Sequence, residues 1–326
     1  MTAARQTEMA RSEVQFRSLV EASEIIGVVS DAEDLAAARA FYEPILRHAA
    51  GEWGRERDTL NFRSVGQSLR FRQRQHPRGT EETGRHQAYR VPAESLRGII
   101  GELLGLGYVV DWWREDHPSE RQVSAYLLDP DGNRVQLVES AAADLDQFGF
   151  LDHVGVEVHD LESAEVFYGK VLGGQVDYYH GRRARDYQEA LAWEGGGDPC
   201  APWTRLWPGA GLSTDLRHKS RVPHPNQQVF FRFGETRLAV VLAGKHRQEP
   251  PEEQAQGTPR IVFCSRLPVA TIGARLSSTP FPLTPEDRLP LTFRVDGPVV
   301  YLRDPAGNFV QVDGADTMEH RASGRS

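Results

Sequence analysis

Cysteine is nearly absent from this chain, which has 2 in 326 residues, Cys200 and Cys264. They do not form a C-x-x-C pair, and two cysteines are too few for a disulfide framework. The sequence therefore argues against a secreted disulfide scaffold and predicts a reducing, cytoplasmic location. It also lacks an apolar run near the roughly 18 residues that span a bilayer and an N-terminal apolar core typical of a secretory signal.

Positive charge is in deficit as well. The chain has 38 Lys and Arg against 46 Asp and Glu, a net charge of −8. Nucleic-acid-binding proteins usually carry a basic surplus, so no nucleic-acid partner is expected. With 39% hydrophobic and 26% charged residues, the composition is that of a globular protein. At about 150 residues per domain, the length predicts two domains.

The clearest feature that is present is an internal repeat. The run DPDGNRVQ at 129–136 returns as DPAGNFVQ at 304–311. Each copy follows a short apolar run that contains tyrosine, SAYLL at 124–128 and VVYLR at 299–303. A strand, a turn rich in Asp, Pro, Gly and Asn, and a second strand predict a β-hairpin.

A second repeat extends this pattern through the chain. LAAARAFY at 35–42 matches LESAEVFY at 161–168, and each follows a strand-like run. Strand, helix and several strands then recur in four units, over 24–78, 84–140, 150–246 and 258–314. We predict domains at 23–140 and 150–314, an N-terminal extension at 1–22 and a tail at 315–326. The third unit has an insertion at 181–226 whose Trp193, Trp203 and Trp207 suit a lid or a long surface loop.

Four such units, two of which end in a D-P-x-G-N hairpin, resemble the vicinal oxygen chelate superfamily of glyoxalases, extradiol dioxygenases and bleomycin- or fosfomycin-resistance proteins. The stretch 151–174 carries the resemblance most specifically. It implies an α+β fold in which pairs of βαβββ units form two curved-sheet domains, each with a ligand-holding concave face, here called the cup. In many members, a His on the first strand of each unit and a Glu in the hairpin strand hold a divalent metal such as Fe, Mn, Zn or Ni.

The resemblance maps those metal positions onto His86 and His153 in first strands and onto Gln136 and Gln311 in hairpins. The other first strands offer Ile25, which has no donor atom, and Arg260, a permanent cation. Both hairpin positions carry Gln where metal-binding members carry Glu, so the predicted metal site is degenerate. If units two and three share a cup, His86, His153 and Gln136 meet; if units one and two pair, they do not. The sequence leaves the pairing open.

Two further residues are candidates for catalysis. Tyr301 matches the tyrosine of the extradiol signature, although Tyr126 occupies the same place in the first half of the chain. Arg260 suits an anionic group in place of a metal. Arg70, Arg72 and Arg74 alternate along one strand, which favours a charge-protected edge strand over an anion-receiving wall.

The resemblance implies an enzyme, dioxygenase-like or glyoxalase- and isomerase-like, that acts on a small oxygenated metabolite, with an aromatic metabolite as one option. The alternative is a metal-free resistance protein that sequesters an aromatic natural product. A third variant is a metal-free catalyst in which Arg260 and His153 handle one anionic intermediate. We expect a small-molecule partner, no nucleic acid and no membrane, and a homodimer is compatible with the resemblance.

Overall fold

The computed structural model describes residues 18–64, 66–77, 85–114, 123–158, 161–180, 228–242, 260–278 and 292–317. Within these ranges the chain forms two mixed β-sheets with a few helices, which confirms the predicted α+β class. None of the described helices is long and apolar enough to cross a membrane. The insertion at 181–226, Cys200, and most of the N-terminal extension and the tail lie outside the described residues.

Sheet A contains strands from the first and the fourth unit. Its spatial order is β14-β15-β16-β13-β1-β4-β3-β2. The strands are β1 (Ala22–Ala32), β2 (Gly51–Glu56), β3 (Thr59–Ser64), β4 (Gln67–Gln73), β13 (Arg260–Ser265), β14 (Thr292–Asp296), β15 (Val299–Arg303) and β16 (Phe309–Asp313).

Sheet B contains strands from the second and the third unit. Its spatial order is β10-β11-β12-β9-β5-β8-β7-β6. The strands are β5 (His86–Pro92), β6 (Val110–Arg114), β7 (Ser124–Leu128), β8 (Arg134–Ser140), β9 (Leu151–Val158), β10 (Gln175–His180), β11 (Gln228–Phe233) and β12 (Thr236–Leu242).

The structure thus selects one of the two pairings that the sequence left open. Units two and three join through the antiparallel pair β5–β9, and units one and four join through β1–β13. Each sheet therefore contains strands from both sides of the segment 141–149. As a result, the two repeat-bearing halves, 23–140 and 150–314, each contribute strands to both sheets.

The helices cover one face of each sheet and bury a common hydrophobic core. The described helices are α1 (Leu35–Leu46), α2 (Ala93–Gly105), α3 (Ala142–Phe148), α4 (Leu161–Glu165), which continues as a π-helical turn over Val166–Val171, and α5 (Val269–Ser278). Helix α1 begins where the Asp34 side chain accepts a hydrogen bond from the backbone N–H of Ala36. Its Leu35, Phe41 and Ile45 are spaced to bury one face.

Strand alternation decides which side chains face away from the helices, on what we call the cup face. Val154, Val156 and Val158 pack in the core, as predicted for the face opposite His153. Val135 and Leu137 flank Gln136 in the same way, and Val310 and Val312 flank Gln311. His153, Gln136 and Gln311 therefore lie on the cup faces.

The prediction that Ile25 occupies the position equivalent to His153, on the cup face, is wrong. Ile25 lies in the main core with only 2% of its surface exposed. A register shift in β1 leaves Ile26 without a partner on β13. In the parallel pairs β1–β4 and β9–β12, Gly27 lies opposite Ser68 and His153 lies opposite Arg237, which are equivalent positions of the two sheets. Aligning the glycines of the two strands by sequence hides this shift, so Gly27 and not Ile25 is the counterpart of His153.

The two repeated sequence motifs are bonded to each other across the units. The hydroxyl of Tyr42 donates to Asp129 at 2.9 Å, and that of Tyr168 donates to Asp304 at 2.8 Å. Burial, followed by the charge of the partner carboxylate, raises the pKa of both tyrosines well above its ordinary value. Each hydroxyl therefore stays protonated as a donor, and each bond ties one unit to a unit of the other sheet.

Candidate functional site

The cup face of sheet B brings together two of the predicted metal ligands. His86 on β5 and His153 on β9 approach with their Nε2 atoms 2.9 Å apart. Their rings are nearly perpendicular, at 86°. His86 pairs with Gly155 across the strands, and a Cβ atom at that position would lie 2.3 Å from the His86 ring. Glycine at 155 is therefore what allows His86 to lean toward His153.

A β-bulge places a carboxylate behind His153. Leu151 pairs with Tyr89 and His153 with Ala88, so Asp152 is the extra residue of β9. Leu151 is in the core, whereas Asp152 turns toward its neighbour and its Oδ2 lies 2.8 Å from His153 Nδ1. Simple alternation along the strand would have put Asp152 and His153 on opposite faces.

Arg90 fixes the carboxylate in turn. Its Nε lies 3.2 Å from Asp152 Oδ1, while its Nη1 donates to the carbonyl oxygen of Leu151 at 2.6 Å. Burial alone would raise the pKa of Asp152, but the hydrogen bond to His153 and the charges of His153, Arg90 and Arg237 outweigh it and lower the pKa to about 2. Asp152 is therefore an anion at neutral pH.

The ionised Asp152 determines the tautomer of His153. Because the carboxylate has no proton, His153 Nδ1 carries the hydrogen and donates it. With its single proton on Nδ1, the ring presents the lone pair of Nε2 toward His86. In the metal-free arrangement, His86 Nε2–H can donate to that lone pair; with a metal ion, both Nε2 atoms are available as ligands.

Gln136 adds a third polar group to the same cup face. It pairs with Ala88, which in turn pairs with His153. Its Oε1 is buried and has no hydrogen-bond partner among the described residues. Tyr126, directly across from Gln136 on β7, lies with its ring 6.0 Å from that of His86. A buried amide oxygen without a donor is a position where a ligand is expected.

The position of unit three that corresponds to Gln136 offers no metal-binding atom in its side chain. Ala239 on β12 pairs with Gly155 as Gln136 pairs with Ala88. Among the described residues there is no group of three or more His, Cys, Asp or Glu side chains that could hold a metal. The candidate set is thus two imidazoles and an amide, with one side left to solvent or substrate.

These donors fit a divalent transition metal. Imidazole nitrogens bind Zn²⁺ at about 2.0–2.1 Å, so two ligands of one ion must lie within about 4 Å of each other. The 2.9 Å separation of the two Nε2 atoms meets this condition. A carboxylate hydrogen-bonded to the far nitrogen of a metal-binding histidine is the usual support for such a ligand. All three donors are neutral, so the set would leave the charge of the ion uncompensated.

The remaining predicted site residues lie on the other sheet. Gln311 is on β16, Tyr301 is on β15 directly across from it, and Arg260 begins β13. The structure therefore separates Gln311 from both histidines. Arg260 and His153 likewise lie on different sheets, whereas the third functional variant needs both at one intermediate.

Sequence reasoning did not identify Asp152, Arg90 or Ala239 as part of the site. The bulge that turns Asp152 toward His153 has no signature in a single sequence. The turn before β12, Gly234-Glu235, lacks the D-P-x-G-N pattern, so the hairpin of unit three gave no position to align. Tyr126 and Tyr301 occupy equivalent places in the sequence repeat, and the sheet pairing shows that Tyr126 is the one beside His86.

No protein-family model and no curated protein matches the sequence. Among solved structures, the chain is similar to two glyoxalase I mutants from Zea mays, with TM-scores of 0.57 and 0.58 and 14% identity. These alignments cover 91% of this chain and 95% and 94% of theirs. A candidate dioxygenase from Bacillus subtilis aligns with a TM-score of 0.53 and 10% identity over 90% of this chain and 86% of its own. At such identities the likeness shows the fold alone, which this chain shares with these structures over about nine-tenths of its length.

Proposed function

We propose that sheet B holds a divalent transition metal through His86, His153 and Gln136, and that the protein is an enzyme acting there on a small oxygenated metabolite. The observation that supports this most directly is the 2.9 Å approach of the two Nε2 atoms. Because Asp152 accepts the Nδ1 proton of His153, the lone pair of His153 Nε2 is available to bind the ion beside His86 Nε2.

When bound, such an ion would supply Lewis acidity toward vicinal oxygens of the substrate. The chain's own residues then have distinct roles. Asp152 and Arg90 keep the His153 ring in one orientation. Ala239 leaves room on the fourth side of the set, and Tyr126 and Phe230 line its edges, with the Phe230 ring 6.3 Å from that of His153. Aromatic rings at both edges favour a substrate with a planar or apolar body.

Metal binding by variants tests this proposal. The chelator-treated protein is titrated with Co²⁺ and followed by visible absorption and calorimetry, which report imidazole ligation without any activity assay. We expect one ion per chain, with affinity reduced more than 100-fold in His86→Ala and His153→Ala. His48→Ala, which removes an exposed histidine, and Gln311→Ala, on the other sheet, are matched controls that should bind as the parent does.

The same titration can contradict the proposal. Absence of a stoichiometric ion at every metal tested, with a melting temperature unaffected by chelator, would sink it. Oxygen consumption with catechol-type substrates would then separate dioxygenase-like from isomerase-like chemistry in a protein that does bind metal.

Two observations favour a second candidate, a metal-free binding protein for an aromatic compound. The His86–His153 contact is already a satisfactory hydrogen bond without an ion, and Ala239 contributes no donor. This candidate requires an aromatic ligand that binds the chelator-treated protein and is recovered unchanged after long incubation. Turnover of that ligand would refute it.

A further inference from the structure

The cup face of sheet A carries a different set of side chains at the same four positions. Because Gly27 is the counterpart of His153, Val29, two residues further on, is the counterpart of Gly155. Arg260 pairs with Val29 and His86 pairs with Gly155, so Arg260 is the counterpart of His86. By the same comparison, Gly27 replaces His153, Gln311 replaces Gln136 and Arg70 replaces Ala239. Two of the four positions are therefore guanidinium groups, and none is a histidine.

Arg260 is half-buried on this face between two aromatic rings. Its Cζ lies 6.0 Å from the centre of the Tyr301 ring and 5.5 Å from that of Phe309. Among the described residues, its guanidinium has neither a hydrogen bond nor an ion pair. A partly buried cation without an acceptor is costly unless a ligand supplies one.

Asp31, whose charge acts on Arg260, is held by other arginines. Asp31 is buried and its Oδ1 accepts from Arg72 Nε at 2.9 Å, while its Oδ2 lies 3.3 Å from Arg74 Nε. Both oxygens are thus engaged by other cations. Arg70 donates to the neutral amide oxygen of Asn61 at 2.7 Å. Asp31 is thus held by Arg72 and Arg74 and forms no ion pair with Arg260 within the described part of the chain.

This arrangement corrects the interpretation of the three alternating arginines. Strand β4 lies between β1 and β3 inside the sheet, so it is not an edge strand that needs protection by charge. Arg70 and Arg72 are half-buried on the cup face next to Arg260. Burial and the charge of Arg72 lower the pKa of Arg260, as expected when two guanidinium groups lie close together.

Apolar side chains form the floor of the same face. Ile26, Val29 and Val262 make a small buried cluster, with Cys264 packed against it, separate from the main core. The bulge of β1 places Ile26 here, at the position that Asp152 occupies in sheet B. The floor thus offers an apolar surface directly beside an unpaired guanidinium.

We propose that the cup face of sheet A binds the carboxylate of a small aromatic or apolar acid, with Arg260 forming the ion pair and Ile26, Val29 and Val262 contacting the body of the ligand. The planar guanidinium can accept a carboxylate through two parallel hydrogen bonds. The rings of Tyr301 and Phe309 flank Arg260, and each also lies near a second guanidinium, that of Arg294 or Arg303. This site is separate from the histidine pair and does not depend on a metal.

Binding to chelator-treated protein tests the site independently of the metal proposal. The probes are benzoate, its neutral analogue benzamide, and inorganic phosphate, measured by calorimetry at low and high salt. We expect benzoate to bind and benzamide to bind at least tenfold more weakly. Loss of a charge-assisted, bidentate contact in Arg260→Met should weaken benzoate roughly 10- to 100-fold. Arg57→Met, an exposed arginine in the β2–β3 turn of the same sheet, should bind as the parent does.

The variants are chosen to keep the outcome interpretable. Methionine retains the apolar stem of Arg260, and Arg260→Lys retains the charge but not the planar fork, so it should recover part of the affinity. Equal benzoate affinity in Arg260→Met and the parent would overturn the proposal, as would absence of benzoate binding to the parent. Phosphate binding without benzoate binding would overturn the assignment to carboxylates.

Discussion

Sheets A and B share one architecture and differ in the chemistry of their cup faces. In sheet B, His86, His153 and Gln136 present neutral donors that suit a cation, and the fourth position is Ala239. In sheet A, Arg260 presents positive charge that suits an anion. The difference teaches that the strand register fixes where the ligand-facing positions are, while a few substitutions decide the sign of the charge that they attract.

A β-bulge in each of the antiparallel pairs β1–β13 and β5–β9 shows that a single residue can change the chemistry of a cup face. Both β1 and β9 contain one extra residue just before the key position. In sheet B that residue is Asp152, which orients His153; in sheet A it is Ile26, which contributes to an apolar floor. The same backbone irregularity therefore supports a metal ligand in one sheet and a hydrophobic contact in the other.

The largest expected effect comes from restoring a carboxylate to each face. Gln136→Glu places an anion beside two imidazoles and should raise Co²⁺ affinity on the order of 100-fold, because ligand charge strongly affects metal affinity. Gln311→Glu is the matched change in sheet A. It should leave Co²⁺ affinity unchanged and weaken benzoate binding several-fold, since a carboxylate near Arg260 competes for it. Equal gains in Co²⁺ affinity from both variants would break the comparison.

A smaller effect is expected from the bulge residue. Asp152→Asn removes the charge that holds the His153 tautomer and should lower Co²⁺ affinity about tenfold, within the 10- to 100-fold range typical of such supporting groups. Ile26→Val, at the same place in sheet A, should not change it. Calorimetry and the Co²⁺ absorption spectrum provide the measurement. An unchanged affinity in Asp152→Asn would show that His153 needs no support.

The last prediction concerns what the two sheets have in common. Tyr42→Phe and Tyr168→Phe each remove one buried hydrogen bond to a turn aspartate and should lower the free energy of unfolding by about 1–2 kcal/mol. Because the two bonds are repeats of one arrangement, the losses should agree. Chemical denaturation checks this, and a difference above about 1 kcal/mol would show that the two halves are not mechanically equivalent.

Much of the fold was predictable from the sequence. The repeated hairpins and the Phe-Tyr helices gave the four units, and Arg260–Ser265, Ser124–Leu128 and Val299–Arg303 are strands as predicted. The face of His153 also followed from the alternating valines. Pairing of the units was not predictable, because either arrangement buries the same alternating faces.

The site was predictable only in part, for a related reason. His86, His153 and Gln136 could be proposed, but whether they meet depends on which units share a sheet. Asp152 and Ile25 could not be placed, because a one-residue bulge moves side chains to the other face without altering the hydrophobic pattern. Long-range register is set by tertiary packing, which local sequence does not record.

The crossed pairing of the units also determines how the molecule must assemble. The antiparallel seams β5–β9 and β1–β13 join strands from opposite halves of the chain. His86 and His153 face each other across one seam, and Arg260 and Gly27 lie on opposite sides of the other. The linker at 141–149 therefore acts as a tether that raises the effective concentration of one half for the other. Cutting it would turn both cups into products of a bimolecular reaction, so that their occupancy would depend on protein concentration.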